Sequence, residues 1–162
     1  MKNVLALSTI IVIALSMVVL GIGCEEVSEP GPTPGLNTGV SGIDLALNNF
    51  VKAYETKDID LLKRCLTEES SFYSELVINA QSTFARHEKI EMEFTDPAIN
   101  LYDGERRATV SLKGVFKGIG KDDVIIKEIR SGDIFELIKD EAGWKIVSWY
   151  RDIYMKELPN EG

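Results

Sequence analysis

The sequence predicts an α+β domain in which three amphipathic helices precede a meander of about four antiparallel strands. Two observations support this prediction. Apolar residues recur every three or four positions between residues 43 and 87, and from residue 90 onwards they alternate with polar residues. Because the two patterns occupy separate stretches of the chain, they favour helices packed on an antiparallel sheet over a doubly wound parallel fold.

Three helices are predicted in the first half of the domain, each with a candidate capping residue. Ser41 precedes the first helix, Asp58 the second, and Ser70 or Ser71 the third. The apolar stripes of these helices end near Tyr54, Leu66 and His87. Residues 75–80 also fit a strand, but the three-to-four spacing continues well beyond them.

Four strands are predicted in the second half, separated by recognisable turn signals. Asp96-Pro97 punctuates the first alternating stretch, and Asp103-Gly104 predicts a two-residue hairpin turn. Residues 118–123 are predicted to form a loop. Ser131-Gly132 marks a candidate bulge in a long strand, and residues 140–143 reverse the chain into the last strand.

The last two predicted strands are apolar on both faces. In the final strand, one face is predicted to hold Trp144, Ile146 and Tyr150, and the other Val147, Trp149 and Ile153. One face can pack on the helices, and a second copy of the chain is the simplest cover for the other. We therefore expect a homodimer that pairs through the sheet.

The composition limits the number of domains and the classes of partner. The chain has 162 residues, with 18 Lys and Arg against 26 Asp and Glu and a net charge of −8. This length allows one ordinary domain. The acidic balance argues against a nucleic-acid-binding protein, which needs a basic surface to contact phosphates. One His and two Cys argue against a His/Cys metal site, and we expect neither a metal nor a cofactor.

Residues 1–23 have the features of an export signal. Lys2 is the only charged residue before Glu25, and Leu, Ile and Val dominate the stretch between them. Its length fits a cleaved signal peptide and also a single membrane span. Under either interpretation the rest of the chain is extracytoplasmic, because Lys2 keeps the N-terminal end inside.

The segment Gly21-Ile22-Gly23-Cys24 resembles the lipobox of bacterial lipoproteins, in which small residues precede a Cys that carries lipid. The segment departs from the family pattern in one respect. The family usually has Leu three residues before the Cys, where this chain has Gly21, and Leu20 lies one position earlier. The resemblance implies cleavage before Cys24 and a lipid on that residue, in the cell membrane or the outer membrane. The alternative is an uncleaved apolar anchor in which Cys24 is an ordinary thiol.

The mature chain is predicted to have a linker at residues 24–40, a domain at residues 41–158 and a tail at residues 159–162. Pro, Gly and Glu dominate the linker, and its isolated apolar residues cannot form a core. The second cysteine, Cys65, lies on the apolar face of the second predicted helix. We expect a buried thiol there rather than a nucleophile.

Three stretches of the domain resemble the nuclear-transport-factor-2-like superfamily, which includes SnoaL-like and ketosteroid-isomerase-like proteins. Residues 50–62 are typical of its first two helices, residues 107–110 of a mid-sheet strand and residues 135–147 of its final hairpin. The resemblance implies a cystatin-like cone, with helices in the concave face of a curved, mostly antiparallel sheet. Enzymes of the superfamily place acid and base groups inside the cone, but no residues here match such an enzyme's motif.

Three residues are candidate proton-handling groups, each with an ordinary structural alternative. Tyr54 lies on the apolar face of the first helix, where a core tyrosine is the alternative. His87 ends the third helix, where a surface or capping role is the alternative. Asp152 lies near the end of the last strand, where it could simply face solvent. Glu128 and Glu136 are expected at the rim or in solvent.

The visible shortage of polar residues that converge on one place favours a non-enzymatic function. We expect a membrane-tethered lipoprotein whose domain binds a small apolar or amphiphilic ligand or an envelope protein. Tyr54, Trp149 and Tyr150 are the candidate ligand contacts. The alternative is a small acid/base enzyme of the isomerase or cyclase type that uses Asp152, Tyr54 or His87 inside the cone.

Overall fold

A computed structural model describes residues 36–120 and 124–157, without the side chains of residue 131 and residues 152–157. Its helices and strands follow one another as α1 (Ser41–Thr56), α2 (Ile59–Cys65), α3 (Tyr73–Arg86), β1 (His87–Tyr102), β2 (Arg107–Gly120), β3 (Ile125–Asp140) and β4 (Gly143–Glu157). This order confirms the predicted α+β class. The predicted export signal, Cys24 and the tail at residues 159–162 lie outside the described residues.

The four strands form one antiparallel sheet in chain order, and the helices pack in its concave face. Phe50 of α1 meets Phe135 of β3 edge to face, with ring centroids 5.3 Å apart. An isolated parallel bridge between Leu66 and Ile146 joins the segment after α2 to β4. The core therefore lies between the helices and the inner face of the sheet, as the cone resemblance implies.

The start of α1 is held by residues that the sequence placed in the linker. The backbone N–H and the hydroxyl of Thr38 donate hydrogen bonds to the Asp44 carboxylate at 2.9 and 2.8 Å. Val40 is the N-cap residue and Ser41 is the first residue of the helix, so the predicted cap is wrong by one position. Leu36 is buried in the core. The core of the domain therefore includes Leu36, which the sequence analysis placed in the linker.

The caps of the other two helices differ in their agreement with the sequence. The Asp58 carboxylate accepts hydrogen bonds from the backbone N–H groups of the first turn of α2, which confirms the predicted cap. α3 begins at Tyr73, later than predicted. The reason is that the Ser70 hydroxyl donates to the Val147 carbonyl at 2.6 Å and accepts from the Phe72 N–H at 3.1 Å. Ser70 thus holds the preceding turn against β4.

Two chain reversals differ from the sequence prediction. Asp103-Gly104 begins a four-residue loop at residues 103–106, because Glu105 also has a positive φ and the Arg106 N–H donates to the Asp103 carbonyl. β2 continues to Gly120, through the first half of the segment predicted to be a loop. The first difference adds two residues to the turn, and the second lengthens β2.

Bulges in β1, β3 and β4 change which side chains face the helices. Successive residues of a strand point to opposite faces, so one extra residue exchanges the faces beyond it. The pairing of β1 shifts between His87 and Lys89 and again beside Asp96-Pro97, where a strand end was expected. The shift at Ser131-Gly132 in β3 confirms the predicted bulge.

The bulge in β4 corrects the predicted faces of the last strand. Val147 is an extra residue without a partner in β3. Trp149 therefore faces the helices, as Trp144 and Ile146 do, rather than the opposite side. Tyr150 lies on the outer face and is 64% exposed.

The outer face of the sheet has an apolar centre. Val115 pairs with Ile129 across β2 and β3, and Ile134 pairs with Tyr150 across β3 and β4. A groove of about 380 Å³ lies over Val115 and Ile129. The last two strands thus have apolar side chains on both faces, as the sequence predicted, and Val115 extends the outer apolar surface to β2.

Candidate functional site

A cavity of about 90 Å³ lies between the C-terminal ends of α1 and α3 and strands β2 to β4. We call it the cone cavity. Its wall is built from Tyr54, Thr83, Arg86, His87, Phe116, Ile126, Glu128, Arg130, Trp149 and Arg151. Six of these ten side chains carry a charge, an imidazole or a phenol, so the cavity is a polar site inside an otherwise apolar cone.

Arg130 is the most deeply buried cation of the site, with 1% of its surface exposed. Its Nη2 donates to Glu128 Oε2 at 3.2 Å, and its Nη1 lies 3.8 Å from Asp133 Oδ1, beyond hydrogen-bonding distance. The guanidinium also lies 5.2 Å from the ring centroids of Phe116 and Trp149. Nε and Nη1 have no hydrogen-bond partner among the described residues. Two of its three nitrogens are therefore buried without an acceptor.

Asp133 is fully buried behind the cavity wall and joins Arg130 to Trp149. Its Oδ1 accepts a hydrogen bond from Trp149 Nε1 at 2.8 Å, while Oδ2 has no partner among the described residues. Burial raises the pKa of the carboxyl, and the neighbouring Arg130 and the Trp149 hydrogen bond oppose that shift. Asp133 therefore fixes the orientation of two residues of the cavity wall without lining the cavity itself.

Two glycines of β2 make room for the polar groups of the interior. A β-carbon at Gly114 would overlap Asp133 Oδ2, and one at Gly118 would lie 2.6 Å from the His87 ring. Because these two positions have no side chain, the Asp133 carboxyl and the His87 ring can pack directly against the backbone of β2. Gly114 and Gly118 thus have a packing function.

His87 lies at the junction of α3 and β1, with its ring against Phe116 and its backbone carbonyl accepting from Lys57 Nζ at 3.1 Å. It caps α3, as expected, but its side chain is buried rather than on the surface. Desolvation and the nearby Arg86 lower its pKa, against a smaller opposing effect of Glu128. The imidazole is uncharged at neutral pH, and its Nδ1 has no partner among the described residues.

Tyr54 lies in an aromatic cluster on the inner side of the cavity. Its ring packs against Phe50, Phe84 and Trp149 with centroids 4.9 to 5.7 Å apart. Burial raises the pKa of its phenol to about 12, although the charges of Arg151 and Arg130 act in the opposite direction. The phenol therefore stays protonated at physiological pH, where it can donate a hydrogen bond but cannot act as a base.

The structure brings together three of the residues singled out from the sequence. Tyr54, His87 and Trp149 all line the cone cavity. Tyr150, the third candidate ligand contact, lies on the outer face of the sheet and away from the cavity. The side chain of Asp152 lies outside the described residues.

Sequence reasoning missed Glu128, Arg130 and Asp133. Glu128 is not at the rim, because 14% of its side chain is exposed and it pairs with Arg130 in the cavity wall. In a regular strand Arg130 and Asp133 would face opposite sides, and the bulge at Ser131-Gly132 turns both inward. The predicted bulge was the signal that could have found them. The expected shortage of convergent polar residues is therefore wrong.

Neither a metal site nor a membrane-spanning helix is found in the described part of the chain. No group of three His, Cys, Asp or Glu side chains at residues 36–120 and 124–157 is placed to hold a metal ion. No helix in the same ranges is long and apolar enough to cross a membrane.

Comparison with known proteins identifies the fold through structure rather than sequence. No protein-family model matches the chain, and no curated protein matches it in sequence. A protein from Novosphingobium aromaticivorans, provisionally named an aromatic ring hydroxylase, matches with a TM-score of 0.65 and 21% identity over 73% of this chain and 91% of that one.

Two further solved structures have the same architecture. A nuclear-transport-factor-2-like superfamily protein from Salmonella enterica matches with a TM-score of 0.61 and 17% identity, over 75% of this chain and 95% of that one. A hexachlorocyclohexane dehydrochlorinase from Novosphingobium barchaimii matches with a TM-score of 0.62 and 9% identity, over 75% and 90%. The chain has the cone fold of the nuclear-transport-factor-2-like superfamily, as its sequence indicated.

Proposed function

We propose that this chain is a membrane-tethered extracytoplasmic lipoprotein whose domain binds a small ligand in the cone cavity. The observation that carries the proposal is Arg130, a buried cation of the cavity wall with two nitrogens that lack a hydrogen-bond partner among the described residues. A buried donor without a partner costs about 1–3 kcal/mol. A ligand acceptor against Arg130 would reduce that cost, so the wall favours a ligand that carries an acceptor group.

The cavity wall favours an amphiphilic ligand over a purely apolar one. Glu128, Arg130 and Arg151 supply charged groups, whereas Phe116 and Trp149 supply aromatic surface. An apolar molecule would leave the unpartnered nitrogens of Arg130 buried without an acceptor, which is unfavourable. Of the two kinds of ligand expected from the sequence, the amphiphilic one fits this wall.

Native mass spectrometry of the full chain, purified in mild detergent, tests the proposal. The variant Thr83→Tyr fills the cavity from α3, and Ser82→Tyr adds the same side chain at the neighbouring exposed position. We expect the wild type and Ser82→Tyr to carry a co-purified small molecule that Thr83→Tyr has lost. An empty wild type, or equal retention by both variants, contradicts the proposal.

The tether is proposed from the lipobox resemblance at Cys24. The variant Cys24→Ser removes the thiol that would carry the lipid, so it should remain unprocessed and lack acyl chains in intact-mass spectra. Residues 24–35 precede the described part of the chain and would space the domain from the membrane. A processed and acylated Cys24→Ser protein contradicts this part of the proposal.

An acid/base enzyme is the second candidate function, and His87 is the observation that favours it. Its imidazole lines the cavity and is uncharged, which is the protonation state that a general base requires, and its buried Nδ1 has no partner among the described residues. The hexachlorocyclohexane dehydrochlorinase among the structural matches is an enzyme built on the same fold.

Proton abstraction from carbon leaves a solvent-derived label, so it can be sought without a known substrate. We would incubate the protein with a bacterial metabolite extract in D₂O and search for metabolites that gain deuterium at carbon. The enzyme reading predicts that wild type labels a metabolite and that His87→Gln does not. Equal labelling by the two proteins excludes His87 as the base.

A further inference from the structure

The cone cavity carries an excess of positive charge in a protein whose net charge is −8. Three arginines, Arg86, Arg130 and Arg151, line the cavity, whereas Glu128 is the one carboxylate in the wall among the described residues. His87 adds no charge, because desolvation lowers its pKa. The local charge is therefore opposite in sign to that of the chain as a whole.

The pairing of these charges shows where the excess lies. Glu128 and Asp133 flank Arg130 at 3.2 and 3.8 Å, so the charge of Arg130 is largely balanced within the protein. Arg86 donates from Nε to the Ser82 carbonyl, and Arg151 lies 4.9 Å from the Trp149 ring centroid. Among the described residues neither forms an ion pair. Two cations without a carboxylate partner thus face one small cavity.

The hydrogen-bonding capacity of the wall points in the same direction. The unpartnered Nε and Nη1 of Arg130 are obligatory donors, since a guanidinium has no acceptor. An ionised carboxylate is an acceptor only and forms charge-assisted hydrogen bonds with such donors, whereas an amide offers one uncharged acceptor oxygen beside two donor hydrogens. The requirement is for a negative group rich in acceptors.

The volume limits what can enter. A cavity of about 90 Å³ holds roughly three water molecules, by the share of liquid volume that one water takes. This is enough for a carboxylate and a short carbon chain. Phe116 and Ile126 offer that chain an apolar wall on the same side of the sheet.

We infer that the cone cavity is a site for a small organic carboxylate, with Arg86 and Arg151 supplying the attracting charge and Arg130 the buried donors. The inference rests on the proposed ligand-binding function and names its ligand class. Arg151 is exposed and lies at the cavity edge, so its replacement tests the charge without removing a buried partner.

The test is calorimetric titration of the full chain in detergent at low salt, with butyrate and with its neutral analogue butyramide. We expect butyrate to bind and butyramide not to bind. Arg151→Gln should weaken butyrate binding about tenfold, because one of the two unpaired charges that attract the carboxylate is lost. Arg106→Gln makes the same charge change in the distant β1–β2 loop and should have no effect. Arg86→Gln is the second test of the cavity charge.

Each other outcome overturns the inference in a distinguishable way. Equal binding of butyrate and butyramide would remove the anion requirement while leaving a ligand-binding cavity. Inorganic phosphate binding as tightly as butyrate would refute the assignment to an organic carboxylate. If butyrate fails to bind, the inference is wrong, and the native mass spectra of the wild type and Thr83→Tyr decide separately whether the proposed function survives.

Discussion

Gly114 on β2 lies so close to Asp133 on β3 that a β-carbon at Gly114 would overlap Asp133 Oδ2. The same relationship recurs four residues further along β2, where a β-carbon at Gly118 would lie 2.6 Å from the ring of His87. The glycines of β2 therefore leave room for two polar side chains, Asp133 of β3 and His87 at the α3–β1 junction. The glycines of this strand set the depth at which titratable side chains lie in the cone.

We predict that Gly114→Ala destabilises the protein, because its methyl group and the Asp133 carboxyl cannot occupy the same place. Overpacking of this kind costs about 1–3 kcal/mol. Gly120→Ala is the control on the same strand, since among the described residues its β-carbon would approach nothing closer than the Val124 carbonyl oxygen at 3.6 Å. Urea unfolding of both variants measures the difference. Equal midpoints for the two variants would contradict the packing function of Gly114.

We predict that Trp149→Phe costs more stability than Trp144→Phe. Trp149 Nε1 donates to the buried Asp133 carboxylate, and its removal leaves that acceptor unpaired at a cost of about 1–3 kcal/mol. Trp144 is also largely buried, but its indole donates no hydrogen bond within the described part of the chain. Chemical denaturation of the two single variants checks the order. The reverse order would show that burial, not the Asp133 bond, dominates at Trp149.

We predict that His87 makes the wild type lose stability in mild acid. An unfolded His titrates near 6.5, whereas desolvation and Arg86 lower the pKa of folded His87. Below pH about 6.5 the unfolded chain therefore binds the proton more readily, and stability falls until the pH passes the folded pKa. His87→Gln should lose less stability than the wild type between pH 7.5 and 5.5 in urea unfolding. Parallel losses in both proteins would contradict the lowered pKa.

We predict that Cys65 resists alkylation in the folded protein. Burial raises the pKa of its thiol to about 11, although Lys145 and Arg64 act in the opposite direction, and its Sγ donates to the Leu61 carbonyl at 3.2 Å. Little reactive thiolate therefore exists at pH 8. Iodoacetamide labelling of Cys24→Ser, followed by mass spectrometry, should be slow until urea is added. Rapid native labelling would show an accessible thiol.

We predict that a dimer, if it pairs through the outer face of the sheet as the sequence leads us to propose, is broken by Ile134→Glu. Ile134 pairs with the exposed Tyr150 at the centre of that face, where a buried carboxylate would lack a partner. Tyr102→Glu, near the β1–β2 loop, is the control. Sedimentation gives the mass of each protein. A monomeric wild type, or a dimeric Ile134→Glu variant, contradicts pairing through this surface.

The sequence by itself determined the elements that depend on local periodicity. The three-to-four spacing through Tyr54 and the alternation from Ile90 predicted three helices and a meander of strands, and Asp58 predicted the cap of α2. These features depend on residues close in the chain, whose spacing is visible directly. The order of helices and strands was then sufficient for the resemblance to the cone fold.

Only the tertiary structure decided which polar side chains meet inside the cone. Arg130 and Asp133 share one face because of the bulge between them, and Trp149 joins them because Val147 is an extra residue in β4. A bulge is fixed by the register between neighbouring strands, which depends on residues far apart in the chain. One extra residue reverses every side chain beyond it, so alternation alone predicted the strands but not the charged cluster that they enclose.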